Sequence, residues 1–511
     1  MKTEPESKPL QGAQPSIWPA GAGPSYLALI CLVASLGGLL FGFDTAVISG
    51  TVEHVRHQFL LGNLMEGWFT SSALVGCILG AALAGVLSDR FGRRPVLIVA
   101  GLLFFLSALL AAIPQSFAML AVARLIGGLG VGLASVVAPM YISEFAPPKW
   151  RGRLVTFYQL SIVLGILLAY LSNWAVLCVA QLNPPALRHW PWLHWVLVAE
   201  CWRGMFGAEM LPAAIFSLLL LFVPESPRWL VQAGRESAGL AVLARVGGLR
   251  SAQRELAEIK AALTSEGGSF RELFRPGLRR ALLVGVMLSV FGQLSGVNIV
   301  VYYGPKILVA AGYHDAGALL GQVGFGLINL IFTVVALFVV DRWGRRPLLI
   351  GGMGAVSVVL VVIGALFLLG VRASGGSSAG LVSKGIGLGI GLMMCAYMAC
   401  IALSICAVIW VLTPEIFPNR VRGRGMSLST FANWSTNAFS ALVFPWYVGK
   451  VGMDAFFFTT AGICLLATWF FWSYVPETKG RSLEQISQEK WQTVRPSSDK
   501  VVVNRWKSGA P

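Results

Sequence analysis

The chain has 511 residues, of which 56% are hydrophobic and 12% are charged, and its mean hydropathy is +0.72. This composition excludes an ordinary water-soluble globule, because too little polar surface is available to cover one of this size. The formal net charge of +16 does not indicate a nucleic-acid partner, since Lys and Arg gather in alternate loops between apolar runs, as they do in membrane proteins.

The chain begins with 24 residues that are rich in Pro, Gly and charge and lack the layout of a signal peptide. We expect residues 1–24 to form a disordered cytoplasmic tail. Twelve apolar runs of spanning length come next, so the sequence predicts an all-α membrane protein with twelve transmembrane helices. The runs are 26–50, 65–88, 95–113, 117–142, 154–176, 205–223, 281–310, 318–340, 347–371, 385–412, 425–448 and 452–475.

Basic residues follow every second run. By the positive-inside rule, this pattern predicts a multi-pass protein of the cell (inner) membrane with both termini in the cytoplasm. The basic groups are Arg90, Arg93 and Arg94; Lys149, Arg151 and Arg153; ten Lys or Arg between Arg228 and Arg280; Arg342, Arg345 and Arg346; and Arg420, Arg422 and Arg424.

The segment after run six is the one long interior loop. Ala, Leu and Glu recur at helical spacing over 235–263, which predicts short amphipathic helices on the cytoplasmic side. The predicted organisation is a tail (1–24), an N-terminal six-helix bundle (25–223), a cytoplasmic linker of helices (224–278), a C-terminal six-helix bundle (279–475) and a second cytoplasmic tail (476–511).

Three short charged motifs occur twice, in the same order and after corresponding runs. They are Asp89-Arg90-Phe91-Gly92-Arg93-Arg94-Pro95 with Asp341-Arg342-Trp343-Gly344-Arg345-Arg346-Pro347, Pro224-Glu225-Ser226-Pro227 with Pro476-Glu477-Thr478-Lys479, and Glu144 plus Arg151-Gly152-Arg153 with Glu415 plus Arg422-Gly423-Arg424. The first two pairs share one offset of 252 residues. Such a duplication indicates a transporter rather than a receptor or a membrane enzyme.

The charged groups of these motifs are predicted to form a cytoplasmic gate. Guanidinium groups and an Asp beside a tight turn can pair with a Glu of the neighbouring loop, joining helix ends in one state and releasing them in another. The alternative is that these charges only fix the membrane topology. The predicted gate residues are Asp89, Arg90, Arg93, Glu144, Arg151, Asp341, Arg342, Arg345, Glu415 and Arg422.

One carboxylate, Asp44, lies in the first apolar run, with no other charged residue before Glu53. A charged side chain there costs about 2.5–3.5 kcal/mol on insertion scales, so a partner is expected. Helical spacing puts Asp44, Arg124 and Glu209 in the outer half of the same six-helix bundle. Arg124 cannot lose its proton and needs a counter-ion, for which Asp44 and Glu209 are the candidates. The site is either a proton site or a static ion pair.

Amide and indole side chains also occur inside the apolar runs, where a polar side chain is expected to have a hydrogen-bond partner or a ligand. They are Gln159, Gln293, Asn298, Asn329, Trp410, Asn433 and Trp434. Any one amide can equally serve as an interhelical hydrogen bond. Gln293 and Asn298 project about 140° apart on a regular helix, so we expect a break near Gly296 that turns both toward one cavity.

The motifs together resemble those of the sugar porter family of the major facilitator superfamily. The resemblance rests on Asp-Arg-Phe-Gly-Arg-Arg, on Pro-Glu-Ser-Pro-Arg at 224–228, on Pro-Glu-Thr-Lys-Gly at 476–480 and on Gln-Leu-Ser-Gly-Val-Asn at 293–298, and it covers about 26–485. It implies the major facilitator fold. The first helix is similar to that of bacterial pentose and hexose symporters, whereas facilitative animal carriers typically have Asn at the position of Asp44.

The family resemblance implies roles for individual residues. Asp44 would be the titrating carboxylate, Arg124 its partner, and Glu209 the group that modulates Arg124. The implied sugar contacts are Gln159, Gln293, Asn298, Asn329 and Trp410, with Asn433, Trp434, Phe41 and Tyr302 nearby. Two departures affect this site: Gly292 replaces a Gln of many relatives, and Cys406-Ala407 replaces a Gly-Pro pair. The hinge of helix ten is therefore expected to be stiffer or to move, for instance toward Thr413-Pro414.

The predicted function is proton-coupled symport of a monosaccharide such as D-xylose or D-glucose by alternating access. The alternatives are a facilitative sugar uniporter and a transporter-like sugar sensor. No enzyme activity, cofactor, metal or nucleic acid is predicted, because the sequence has no nucleotide loop, metal-ligand cluster or nucleophile constellation. The predicted partners are the sugar, the proton and the lipid bilayer, and the protein is expected to be a monomer. Cys178 and Cys201 flank one predicted outer loop, where they could form a disulfide or remain free thiols.

Overall fold

The computed structural model describes residues 23–147, 150–265, 270–275, 278–373, 384–418 and 421–477. Helices dominate these ranges, which contain no β-strand. Most of both predicted tails lies outside the described residues.

The first half of the chain packs as one group of long helices. Its elements are α1 (Gly23–Gln58), α2 (Asn63–Phe91), α3 (Arg93–Ala112), α4 (Phe117–Phe145), α5 (Arg151–Leu182), the one-turn α6 (Pro191–His194), α7 (Cys201–Gly207) and α8 (Met210–Leu220). We call this group the N-half. A 3₁₀ turn and a π turn flank α6 and complete the connection between α5 and α7.

Three short helices and a 3₁₀ turn connect the N-half to the second group of long helices, which we call the C-half. The connecting helices are α9 (Pro227–Gln232), α10 (Glu236–Gly247) and α11 (Leu249–Ser265). The C-half consists of α12 (Leu278–Leu294), α13 (Val297–Ala310), α14 (Asp315–Trp343), α15 (Arg345–Ala373), α16 (Lys384–Leu403), α17 (Ile405–Ile416), α18 (Arg422–Val451) and α19 (Met453–Tyr474).

Eleven segments of the described chain are long and apolar enough to cross a membrane, and α18 is a further long helix beside them. With 30 residues, α18 is about 45 Å long, which is sufficient to span a bilayer. It is less apolar than the others because it begins with Arg422 and Arg424 and carries Asn433 and Asn437. Both amides are buried, so these two polar side chains face protein rather than lipid.

Several of the spanning helices are interrupted. The break predicted near Gly296 is present: α12 ends at Leu294, α13 begins at Val297, and Gly296 has a φ of +89°, which glycine adopts readily. The predicted run 205–223 corresponds to the spanning segment Cys201–Leu220, which is interrupted because α7 and α8 are separated at Ala208 and Glu209.

The spanning segment that corresponds to the tenth predicted run is formed by α16 and α17. It also contains a break, at a position that the sequence did not indicate. It falls at Ser404, between α16 and α17, whereas Thr413 and Pro414 lie inside α17. Gly352 of α15 lies so close to Ser404 that a Cβ atom there would overlap the serine side chain. The missing side chain of Gly352 therefore leaves room for the side chain of Ser404 at the break.

The repeated charged motifs mark one end of the helix bundle. The α2–α3 junction and the α14–α15 junction carry the two copies, and α1 and α13 end at the other end of the bundle. We call the end with the motifs the motif face and the other end the opposite face.

Within the N-half, α2 and α4 cross at very short distance through small residues. A Cβ atom on Gly80 would collide with the backbone carbonyl of Leu129, and one on Gly128 would collide with that of Ala73. Small residues that let two backbones approach are the usual device for packing helices in a membrane, where no hydrophobic effect drives helices together.

Gly80→Ala should therefore destabilise the protein, by about 1–3 kcal/mol, because the new methyl group has a backbone atom against it and nothing flexible to displace. Gly85→Ala is the matched control, since it lies in the same helix with no atom within 4 Å of the new Cβ. Thermal unfolding in detergent measures both variants. Equal melting temperatures would contradict the proposed close crossing.

Candidate functional site

A buried ion pair joins α1 and α4. Arg124 Nη1 donates to Asp44 Oδ1 at 2.6 Å, and Arg124 Nη2 donates to the backbone carbonyl of Asp44 at 3.2 Å. Both side chains are almost completely buried, with exposures of 2–3%. The structure thus brings together the carboxylate and guanidinium that the sequence placed in the same half.

The surroundings of this pair are shaped by residues that the sequence did not single out. The ring of Phe206 lies 5.4 Å from the guanidinium carbon of Arg124, close enough for a cation–π interaction. Gly127, one turn after Arg124, leaves space for the carboxylate, because a Cβ there would lie 3.1 Å from Asp44 Oδ1 and 2.5 Å from Ser107 Oγ. Gly127 lies three residues after Arg124 and therefore on the same face of α4, and this spacing was the one sequence feature that could have indicated its role.

Glu209 lies at the break between α7 and α8, with 1% of its surface exposed. It interacts electrostatically with both Asp44 and Arg124. Its Oε1 atom is buried and has no hydrogen-bond partner within the described part of the chain. A buried acceptor without a partner is costly, so this oxygen is available to a donor that moves toward it.

Amide side chains form a short chain in the C-half. Asn298 Nδ2 donates to Gln293 Oε1 at 2.6 Å, and Gln293 Nε2 donates to Asn433 Oδ1 at 2.8 Å. The break at Gly296 is what allows Gln293 and Asn298 to meet, as the helical spacing predicted. Two parts of one discontinuous helix and α18 thus present three amides together.

Aromatic groups lie beside these amides. The rings of Phe41 on α1 and Trp434 on α18 have centroids 5.6 Å apart, so they join the two halves. Tyr302 is buried, and its hydroxyl accepts a 2.9 Å hydrogen bond from Asn437 Nδ2. Asn437 was not among the residues predicted from the sequence, although it lies one helical turn after Asn433 on the same helix.

The remaining predicted sugar contacts form no hydrogen bond with this amide chain within the described part of the structure, and of them Trp410 shares a cleft with it. Trp410 is exposed and lines a cleft that also contains Asn433. Asn329 is buried, and its Oδ1 lies 3.5 Å from Thr333 Oγ1. Gln159 is half-buried and makes no side-chain hydrogen bond with other described residues.

The first copy of the charged motifs forms one cluster at the motif face. Arg93 donates through Nε and Nη2 to Glu144 at 3.0–3.2 Å, and its Nη1 lies 3.2 Å from Asp89 Oδ1. The hydroxyl of Ser226 also donates to Glu144. Trp229 Nε1 donates to the carbonyl of Asp89 at 2.9 Å, which docks the connecting helices onto the N-half.

Glu225 supplies the cap that α3 lacks. The residue before α3 is Gly92, which has no side chain to accept hydrogen bonds from the first helical amides. Glu225 Oε1 accepts from the amide of Arg93 at 3.0 Å, and Oε2 accepts from the amide of Arg94 at 3.2 Å. Burial raises the pKa of Glu225, and the amide hydrogen bonds from Ser226, Arg94 and Arg93 oppose that rise.

The second copy repeats this geometry. The Oε1 and Oε2 atoms of Glu477 accept from the amides of Arg345 and Arg346 at 3.2 and 3.0 Å, and Arg345 Nη2 donates to Glu415 at 3.4 Å. Gly344 has a φ of +91°, as Gly92 has one of +101°. In both copies the motif Arg pairs with the Glu of its own half.

The structure also gives the surroundings of most of the other predicted gate residues and of the two cysteines. Arg90 lies 5.2 Å from the ring centroid of the adjacent Phe91. Arg342 and Arg422 each interact with a neighbouring group, and the side chains of Arg151 and Asp341 lie outside the described residues. Cys178 and Cys201, for which the sequence left a disulfide open, are free cysteines.

Known proteins resemble the chain over almost its whole length. The model for the family "Sugar (and other) transporter" matches residues 30–489. The chain belongs to this sugar transporter family. The arabinose-proton symporter of Bacillus subtilis (strain 168) is 36% identical over 464 residues, covering 91% of this chain and 95% of that protein. The D-xylose-proton symporter of Escherichia coli (strain K12) is 37% identical over 494 residues, covering 90% and 95%.

Solved structures give the same result. The partially occluded inward-open conformation of the xylose transporter XylE from E. coli matches with a TM-score of 0.75 at 36% identity, covering 90% of this chain and 100% of that one. A peptide transporter matches at 17% identity with a TM-score of 0.60, which concerns the fold alone. The prediction of a twelve-helix, multi-pass membrane protein with the major facilitator fold is confirmed.

The helix cap formed by Glu225 generates a test. Glu225→Ala should lower the stability by about 1–2 kcal/mol, because it removes the acceptor for the first amides of α3. Glu258→Ala, on the exposed surface of α11, should have little effect. Thermal unfolding in detergent compares the two, and a Glu225→Ala protein that melts like the Glu258→Ala control would show that the cap contributes nothing.

Proposed function

We propose that this protein is a proton-coupled monosaccharide symporter that works by alternating access. The observation that carries the proposal is the buried Asp44–Arg124 pair, in a chain whose relatives are named as proton symporters for arabinose and D-xylose. Such coupling needs one group that can gain and lose a proton and a fixed charge that responds to it. The proposed substrate is a pentose or hexose such as D-xylose or D-glucose.

Protonation of Asp44 is the proposed coupling step. It neutralises the carboxylate and weakens the charge-assisted hydrogen bond from Arg124, whose own charge persists. The unpartnered Oε1 of Glu209 can then accept a hydrogen bond from the guanidinium of Arg124. The charge of Arg124 is compensated in both protonation states, which lowers the cost of moving or closing the site.

The amide chain of Asn298, Gln293 and Asn433 is the proposed centre of the sugar site. A sugar hydroxyl both donates and accepts hydrogen bonds, as an amide side chain does, so a bound hydroxyl can replace an amide–amide hydrogen bond at little cost. An aromatic side chain suits the less polar face of a sugar ring. The further proposed contacts are Gln159, Asn329, Trp410, Trp434, Phe41 and Tyr302.

We propose that the motif face lies in the cytoplasm, together with both termini, because the basic residues of the alternate loops gather at that face. The two motif clusters are the proposed cytoplasmic gate. Because each ion pair lies within one half, each cluster is proposed to keep the helix ends of its own half together while the halves separate, instead of releasing them between states as the sequence suggested. We propose a monomer as the working unit, since the ion pair and the amide chain are both formed within one chain.

The proton proposal predicts that an inward proton gradient drives sugar accumulation into proteoliposomes by the wild-type protein. Asp44→Asn should lose this accumulation and still exchange sugar, because Asn cannot titrate. Uptake of labelled sugar with and without the gradient is the measurement.

Asp454→Asn, at the start of α19 and away from the ion pair, is the matched control and should accumulate sugar as the wild type does. A wild type that only equilibrates the sugar and ignores the gradient would instead identify a uniporter with a static ion pair. If Asp44→Asn also lost all sugar exchange, the carboxylate would be needed for sugar movement itself, and the proposal that it serves only proton coupling would be contradicted.

The sugar-site proposal predicts that Gln293→Ala weakens sugar binding about 10- to 100-fold, since the loss of one or two hydrogen bonds to bound hydroxyls costs roughly 1.4–2.8 kcal/mol. Gln253→Ala, on the exposed surface of α11, should bind as the wild type does. Competition of D-xylose, D-glucose, D-galactose and inositol against one labelled sugar measures affinity and selectivity together. Unchanged affinity in Gln293→Ala would contradict the assignment.

A further inference from the structure

A third buried carboxylate, besides Asp44 and Glu209, lies at the opposite face. Glu66, in the first turn of α2, has no exposed surface. Its Oε1 forms an ion pair with Lys306 of α13, and its Oε2 lies 3.4 Å from Arg56 Nη1 of α1. Glu66 and Arg56 belong to the N-half and Lys306 belongs to the C-half, so this carboxylate has one cation from each half.

The same turn of α2 forms a tight contact with the C-half. The hydroxyl of Tyr303 lies 2.8 Å from Thr70 Oγ1, and a Cβ on Gly67 would collide with the backbone carbonyl of Leu442. The Glu66–Lys306 pair is therefore part of a closed seam between the halves, and the halves cannot separate at the opposite face while it is intact.

The ion pairs of the motif face are of a different kind. Arg93 pairs with Glu144 inside the N-half, and Arg345 pairs with Glu415 inside the C-half. Relative movement of the two halves leaves such pairs intact. The Glu66–Lys306 pair joins the halves and must break when they part.

We propose that Glu66 and Lys306 form an ionic lock that holds the opposite face closed and sets the equilibrium between the two access states. This inference rests on the proposed alternating-access function. Arg56 is the partner that stays with Glu66 when Lys306 leaves, so the carboxylate keeps one cation in the open state. Burial gives the pair its effect, because removal of Lys306 leaves a carboxylate with no exposed surface to a single cation, Arg56, at 3.4 Å.

The two partners should differ in how much they matter. Lys306→Met leaves the fully buried Glu66 with Arg56 alone and should raise the open-to-closed ratio at the opposite face about tenfold. Glu66→Gln leaves Lys306, whose side chain is 22% exposed, to be solvated, so its effect should be smaller. The double variant Glu66→Gln/Lys306→Met buries no unpaired charge and should open less than Lys306→Met.

The test measures the distance between the halves at this face. Spin labels on Leu60→Cys in the α1–α2 turn and Val451→Cys at the end of α18 use two exposed sites, one in each half. The eight native cysteines are replaced beforehand, and pulsed dipolar spectroscopy in proteoliposomes gives the distance distribution. The expected result is a longer-distance population that is largest in Lys306→Met.

Arg56→Gln is the matched control, since it removes a cation beside Glu66 from within the N-half and should not enlarge the long-distance population. Distributions of Lys306→Met and Glu66→Gln that match the wild type would overturn the lock. The distance measurement needs neither sugar nor proton gradient, so its failure is separable from failure of the proposed transport.

Discussion

The site in the N-half depends on one electrostatic constraint: a guanidinium that cannot lose its proton is buried in a membrane domain. Arg124 is compensated by Asp44 at 2.6 Å, and the helices around the pair are shaped to fit it. Gly127 leaves room for the carboxylate, and the ring of Phe206 faces the guanidinium. Since the cost of an uncompensated charge in this place is several kcal/mol, any change in the protonation of Asp44 must be answered by a movement of Arg124 or of another carboxylate.

Three side chains of the proposed sites lie at interruptions of helices. Gln293 and Asn298 meet across the break at Gly296, and Glu209 lies at the break between α7 and α8. Irregular backbone is tolerated at membrane depth only where protein or a water-filled cavity can satisfy its polar groups. Each break therefore also marks a place where polar side chains can gather, and this links the local backbone geometry to the location of the proposed proton and sugar sites.

Charge and periodicity allowed the sequence to predict one helix break and two candidate counter-ions for Arg124, whereas features that depend on packing were missed. Charge and helical spacing limited the counter-ion of Arg124 to Asp44 or Glu209, and the family resemblance implied Asp44. The projection of Gln293 and Asn298 was enough to predict a break near Gly296. The break at Ser404 depends on the space beside Gly352, which no local pattern reveals. The cap that Glu225 provides for α3 is equally remote in sequence, although the shared offset of Glu225 and Glu477 already marked the two residues as equivalent.

Charged residues do different work at the two faces of the bundle. At the motif face, repeated ion pairs hold helix ends together within a half, and Glu225 and Glu477 cap the starts of α3 and α15 in the same way. At the opposite face, Glu66 and Lys306 join the halves directly. Rigid halves concentrate the conformational change at the seam between them, because packed cores do not deform continuously. A single interhalf ion pair can then influence the whole equilibrium, which it could not do if each half bent separately.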